Sequence, residues 1–272
     1  MILGLILITS LASDLAPRIG TMRDPAITEP SGIVASRRFP GIFWVHNDSG
    51  NPAELFAVKR DGTLVRAYRV NAPNVDWEDI AIDDAGHLFV GDIGNNSRKL
   101  PIRAIYRVDE PDPSVATNDP LPVTLASYYR YAKKDAFDAE AMFLDGGQAV
   151  VISKRSDQGE ATLYAVPLDP PATLFRPAVA KKLGTLAGFT EAATGANLST
   201  DGKRLAVCSI GWVGIYVRDE KGQWRFEASC VGPPGQVEAI TWDGKDLILA
   251  NEQRAIFRIK EKTWRPEPGG RR

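Results

Sequence analysis

Short apolar runs separated by polar turns recur along the whole chain, and the spacing of apolar positions rarely fits a helix. Runs of roughly four to eight residues rich in Val, Ile, Phe, Tyr and Trp, bounded by Gly, Asp, Asn and Pro, predict β-strands. The stretch from Asp76 to Asn96 is the clearest case. Ile80 and Ile82 alternate with Ala81 and Asp83, Asp84-Ala85-Gly86 turns the chain, and Leu88-Phe89-Val90 runs back. Both outer ends of this hairpin are polar, with Asp76, Glu78 and Asp79 before it and Asp92, Asn95 and Asn96 after it. Antiparallel pairing brings those ends together on one side of the sheet.

The same plan occurs five times. It begins at Glu29 and exits at His46-Asn47-Asp48, and the hairpin above is its second copy. The third copy enters at Asp138 and exits at Ser153-Lys154, the fourth enters near Thr194 and exits at Cys208, and the fifth runs from Val237 to Asn251-Glu252. A third strand follows each pair, beginning at Glu54, Ala104, Thr162, Val213 and Ala255. A fourth follows in the first four copies only, at Val65, Ala126, Ala180 and Trp224. A spacing of about 45 to 60 residues is that of four-stranded propeller blades. The expectation is therefore an all-β chain folded as a β-propeller. Five blades are counted, and a sixth could hide in the long second and third copies; a β-sandwich is the competing architecture.

The fifth copy lacks a fourth strand, while residues 16–28 belong to no copy. Both facts are explained if the N-terminal strand completes the last blade and closes the ring, leaving no raw edge. The domain expectation is a signal segment at residues 1–14, one propeller over 15–264, and a disordered polar tail at 265–272. The opening run MILGLILITSLA is apolar but too short to span a bilayer. It implies export to a periplasmic or extracellular space, although no basic residue precedes it. Cys208 and Cys230 leave two options open, a disulfide or two buried thiols.

Composition narrows the function. Across 272 residues, 44% are hydrophobic, 25% are charged and the net charge is −1, which gives no basic surface for nucleic acid. With only His46 and His87, a multi-histidine zinc site is excluded. No G-x-G-x-x-G, Walker-type loop, EF-hand loop or G-x-S-x-G elbow is present.

In a propeller, the entry of each first strand and the exit of each second strand meet at one channel mouth. That rule gathers acids and amides from all five copies. Glu29, Glu78, Glu140 and Glu238 are the candidate metal ligands. Asp48, Trp77, Asp92, Lys154, Asn197 and Glu252 are the candidate ligand-binding residues. Glu78 and His46 are the candidate acid–base groups. Oxygen donors without histidine or thiolate favour a hard divalent cation, calcium first. Each acid also has a structural alternative, capping a turn or bonding a neighbouring N–H. The expected partner at the mouth is a small molecule, a glycan or a protein.

Several stretches resemble those of a family of bacterial, often exported, β-propellers loosely related to phytase-like and NHL or gluconolactonase-type propellers. They include Glu29-Pro-Ser-Gly-Ile, Trp44-Val-His-Asn-Asp-Ser-Gly, Asp76-Trp-Glu-Asp-Ile-Ala, Gly91-Asp-Ile-Gly-Asn-Asn and Asp138-Ala-Glu-Ala. The resemblance runs from about Glu29 to Glu252. It implies a fold and a site face, with metal-dependent hydrolysis of a phosphate ester or lactone as the alternative to a binding or scaffold role. It also implies that Glu29 acts as the early metal-ligating glutamate of lactonase-type members.

Overall fold

The computed structural model describes residues 16–132, 137–154 and 159–266. The expected signal segment and residues 267–272 of the expected tail lie outside these residues. Apart from one 3-10 turn at Glu261–Thr263, the regular structure is strand. No helix among the described residues is long and apolar enough to cross a membrane.

Strand β1 (Arg18–Thr21) comes first in the chain but belongs to the last blade. Blade 1 is β2 (Pro30–Ala35), β3 (Ile42–Asn47), β4 (Glu54–Lys59) and β5 (Leu64–Arg69). Blade 2 is β6 (Trp77–Ile82), β7 (His87–Asp92), β8 (Arg103–Asp109) and β9 (Val123–Arg130). Blade 3 is β10 (Ala141–Asp145), β11 (Gln148–Ile152) and β12 (Thr162–Pro167). Its chain then adds the two-residue β13 (Ala178–Val179) in parallel to the edge of β9, and returns as β14 (Lys181–Thr185), the outer strand of blade 3. Blade 4 is β15 (Gly195–Leu198), β16 (Arg204–Cys208), β17 (Trp212–Arg218) and β18 (Trp224–Val231). Blade 5 is β19 (Val237–Asp243), β20 (Asp246–Asn251) and β21 (Ala255–Ile259), with β1 antiparallel on the outside of β21. A last strand, β22 (Arg265–Pro266), pairs with the outer edge of β18.

The blade count is five, and the N-terminal strand closes the ring as the missing fourth strand predicted. The long second and third copies hide no further blade. Their inserts are surface loops, because Pro111, Pro113, Pro120 and Pro122 or Pro170, Pro171 and Pro177 cannot donate to a ladder.

The core is divided by the blades. Each strand turns alternate side chains to the two faces of its sheet, so each face buries an apolar row against the next blade. Five hydrophobic clusters result, one at each blade interface. Between blades 1 and 2, for example, Trp44, Leu55 and Tyr68 pack on Trp77, Ile80 and Leu88. Burying one such side chain contributes about 1.5–3 kcal/mol. Cys208 and Cys230 are both buried free thiols, and burial pushes the Cys230 thiol up to about 12.

The inner strands β2, β6, β10, β15 and β19 surround the channel, each packed on the next. Their backbones cannot form a continuous sheet, so side chains bridge them. Ser31 Oγ donates to the Glu78 carbonyl at 2.9 Å. Asp79 accepts from Met142 N at 2.8 Å and from Ala196 N at 3.1 Å. Asn197 Oδ1 accepts from Trp242 N at 3.2 Å, and Thr241 Oγ1 accepts from Ala35 N at 3.1 Å. This circuit of polar links holds the inner strands of all five blades in register.

Candidate functional site

The channel mouth is built where β2, β6, β10, β15 and β19 begin and where β3, β7, β11, β16 and β20 end. At its centre, one carboxylate oxygen each from Asp48, Asp76 and Glu78 lie within 4.8 Å of one another. Asp48 follows the end of β3 in blade 1, whereas Asp76 and Glu78 flank the start of β6 in blade 2. Local bonds hold them there. Asn74 donates to the Asp48 carbonyl at 3.0 Å and accepts from Trp77 N at 3.1 Å, tying the loop that leaves β3 to the loop that enters β6. Asp92 Oδ1 accepts from Asp76 N at 2.7 Å, which fixes the turn that presents the Asp76 side chain. Gly94 covers the other side. A Cβ there would sit 2.3 Å from Glu78 Oε1 and 2.5 Å from Asp76 Oδ2, so only glycine admits both carboxylates.

The electrostatics follow from this crowding. Burial, then Asp48, Asp76 and Asp138, raise the Glu78 carboxyl well above the usual range, and Lys154 opposes them weakly. Burial raises Asp48 and Asp76 as well, with Glu29 adding to the shift of Asp48, and Asp48 and Asp138 to that of Asp76. At an effective dielectric of about 20, two unit charges at this separation repel by about 3 kcal/mol. The cluster is therefore short of positive charge.

Lys154 is the mouth's cation, but it stands with blade 3. Its ammonium pairs with Glu140 Oε1 and lies 3.8 Å from Asp138 Oδ2. Glu140 is thus held by a lysine, and its Oε2 is buried with no hydrogen-bond partner among the described residues. Across the mouth, burial raises Glu238 to about 7, with Glu252 and Asp48 adding and Lys154 opposing. Glu252 is raised by burial and by Glu29 and Asp48.

The remaining sequence candidates separate by depth. Glu29 is exposed and accepts from Asn51 Nδ2 at 3.2 Å; it stands at the rim rather than among the three clustered carboxylates. Asp92 is buried beneath Asp76, its carboxyl raised to about 6 by burial, and it serves the turn. Trp77 is fully buried in the interface between blades 1 and 2, its Nε1 donating to the Pro73 carbonyl at 2.9 Å, so it forms no pocket wall. Asn197 lies deeper in the channel, in the link to Trp242. His46 is fully buried edge-on to Trp77, with ring centroids 5.7 Å apart, and burial lowers it to about 4. A neutral imidazole with no exposed surface has no route to a ligand's proton, which removes His46 as a base at the mouth.

Asp76 completes the cluster although it is not among the ligands expected from sequence. Its signal was the Asp76-Trp-Glu-Asp entry facing Gly91-Asp-Ile-Gly, in which Gly94 clears space for the carboxylates. Val75 and Ile210, 51% and 53% exposed, lie in loops on the same face of the propeller.

No family model matches the chain, and no curated protein matches it in sequence. Among the solved structures similar to the chain are two of low identity. One is a catalytically inactive virginiamycin B lyase from Staphylococcus aureus with quinupristin. It is 13% identical at TM-score 0.43 over 87% of this chain and 67% of that one. The other is a chain of a nidogen/laminin complex, 11% identical at TM-score 0.47 over 88% of this chain and 83% of that one.

Proposed function

We propose that this chain is a propeller binding protein whose acidic mouth holds a divalent cation, calcium by preference, on Asp48, Asp76 and Glu78. The observation that carries the reading is the approach of those three oxygens to within 4.8 Å while the nearby lysine pairs with Glu140 and Asp138 instead. Carboxylates from two blades converge on one point, and a hard cation relieves their repulsion through the oxygen ligands it prefers. Of the ligands expected from sequence, Glu78 is retained. Glu140 is neutralised by Lys154, and Glu29 and Glu238 surround the site. A bound cation would keep coordination positions open to solvent at the mouth, the face on which Val75 and Ile210 are exposed. A small molecule, a glycan or a protein would bind there through an oxygen on the metal and apolar contact around it.

Thermal unfolding after chelation, followed by addition of Ca²⁺, Mg²⁺, Mn²⁺ or Zn²⁺, tests the site. Selective binding to the native state raises the midpoint with concentration, by about 2.7 kcal/mol of added stability at a hundredfold excess over Kd. Ca²⁺ is expected to give the largest rise, and Glu78→Gln and Asp76→Asn to abolish it. A flat response to all four ions would sink the proposal.

One observation favours a hydrolase as the second reading. The raised pKa of Glu78 leaves a carboxyl able to donate or accept a proton beside the cation site. Turnover of a phosphate ester or lactone by the Ca²⁺-loaded protein, abolished in a folded Glu78→Gln variant, would establish it.

A further inference from the structure

The opposite end of the channel holds a cavity of about 750 Å³, within the range of small-molecule sites. It is formed by the turns that join the first and second strands of blades 2, 3 and 4, and it runs into the crevice between blades 2 and 3. Every residue of the cation site lies at the other mouth, because first strands begin there and end here.

The lining combines an apolar surface with hydrogen-bond donors. Phe89, Phe143, Leu144 and Leu198 supply the apolar part. Asn197 supplies the first donor. Its Oδ1 accepts from Trp242 N, which fixes the orientation of the amide and leaves Nδ2 as the free atom. Asn197 is only 7% exposed, and its Nδ2 has no acceptor among the described residues. Nδ2 is not sealed from solvent, so it is reached from the cavity.

Two arginines line the same cavity. Arg107 spends its Nε on Thr124 Oγ1 at 3.0 Å, and Arg37 spends one terminal nitrogen on Thr200. The other guanidinium nitrogens of both have no acceptor among the described residues. Of the acids nearby, Asp83 is engaged by the His87 ring and by Ala85 N and His87 N, and Asp145 by Arg218. Asp84 and Asp169 are exposed at the edge, where water solvates them. Asn197 Nδ2 and the free terminal nitrogens of Arg37 and Arg107 thus have no acceptor among the described residues. Neither arginine is ion-paired among those residues, whereas Asp83 and Asp145 are; an acceptor of negative charge would satisfy these donors.

We propose that this cavity is a second binding site, separate from the cation mouth, for a small organic acid. Its apolar body rests on Phe89, Phe143 and Leu198, and its carboxylate draws on Asn197 Nδ2, Arg37 and Arg107.

The experiment titrates the full chain with octanoate and with phenylpropionate by calorimetry and ligand-observed NMR, with octanamide and octylamine as neutral and cationic counterparts. Saturable binding of a carboxylate, tighter than that of octanamide or octylamine, is expected, and chelator should leave it unchanged. Arg37→Met with Arg107→Met should weaken it by about tenfold or more, since both cations that face the carboxylate are removed. Both substitutions are at surface positions, and an unchanged unfolding midpoint shows that the variant is folded. The proposal is overturned if neither acid binds saturably, if octanamide or octylamine binds as well, if the double variant binds like the parent, or if chelator abolishes binding.

Discussion

Asp79 was gathered with the mouth acids by sequence position, yet its chemistry is that of a strut. Its side chain is fully buried. One oxygen accepts from Met142 N and Ala196 N at 2.8 and 3.1 Å, and the other from Ile80 N at 2.8 Å. One carboxylate therefore joins the inner strands of blades 2, 3 and 4. Asp79→Ala would orphan the two cross-blade N–H groups in a part of the channel where Asp79 is their acceptor. At about 1–3 kcal/mol for each orphaned donor, the loss is about 2–6 kcal/mol. Relief of a buried acid offsets part of this, because burial already raises Asp79 well above its ordinary range, so the expected loss is about 2–4 kcal/mol. Asp79→Asn keeps an acceptor for the cross-blade pair but turns an amide N–H toward Ile80 N. It should cost less, about 1–2 kcal/mol. Exposed Asp84 is the control, and Asp84→Ala should stay within about 0.5 kcal/mol. Urea unfolding measures all three, with an unchanged m value showing that the shift lies in stability. A loss below about 1 kcal/mol in Asp79→Ala, or an equal loss in both Asp79 variants, would refute the strut.

Gly94→Ala should leave the fold nearly as stable and abolish the Ca²⁺-induced rise in midpoint. Its methyl would occupy space 2.3 Å from Glu78 Oε1 and 2.5 Å from Asp76; an undiminished rise would refute that geometry. Glu238 should make the chelated protein lose stability as pH rises from 4.5 to about 7, because the folded residue holds its proton to about 7 whereas the unfolded one releases it near 4.5. Asp92 adds to this trend and buried His46 opposes it, so the contribution is read from the difference between parent and variant. At Glu238 the folded chain binds more protons than the unfolded one, so its contribution to the slope of stability against pH is negative, worth up to about 3 kcal/mol across the window. Midpoints measured in that window should fall less in Glu238→Gln, and parallel curves for parent and variant would count against the assignment.

The repeat of strands, turns and polar ends was written in the sequence, because period-two alternation and Asp-Gly turns are local properties that each copy expresses alone. Five blades and closure by residues 18–21 followed from counting, since one copy lacked a strand and one segment had no copy. The gathering of acids at one mouth was legible for the same reason. What the sequence could not rank was depth. Asp76, Glu78, Asp79 and Asp92 belong to one hairpin and look alike along the chain. Only the packing of blade on blade sends Asp79 down to bridge β6, β10 and β15, sets Asp92 under a turn, and leaves Asp76 and Glu78 facing Asp48. His46 and Trp77 were misplaced for the same reason, because a strand end looks exposed until the neighbouring blade covers it. The cavity at the far end gave no sequence signal at all. Asn197, Arg37 and Arg107 come from three blades and line one space only because the ring is closed.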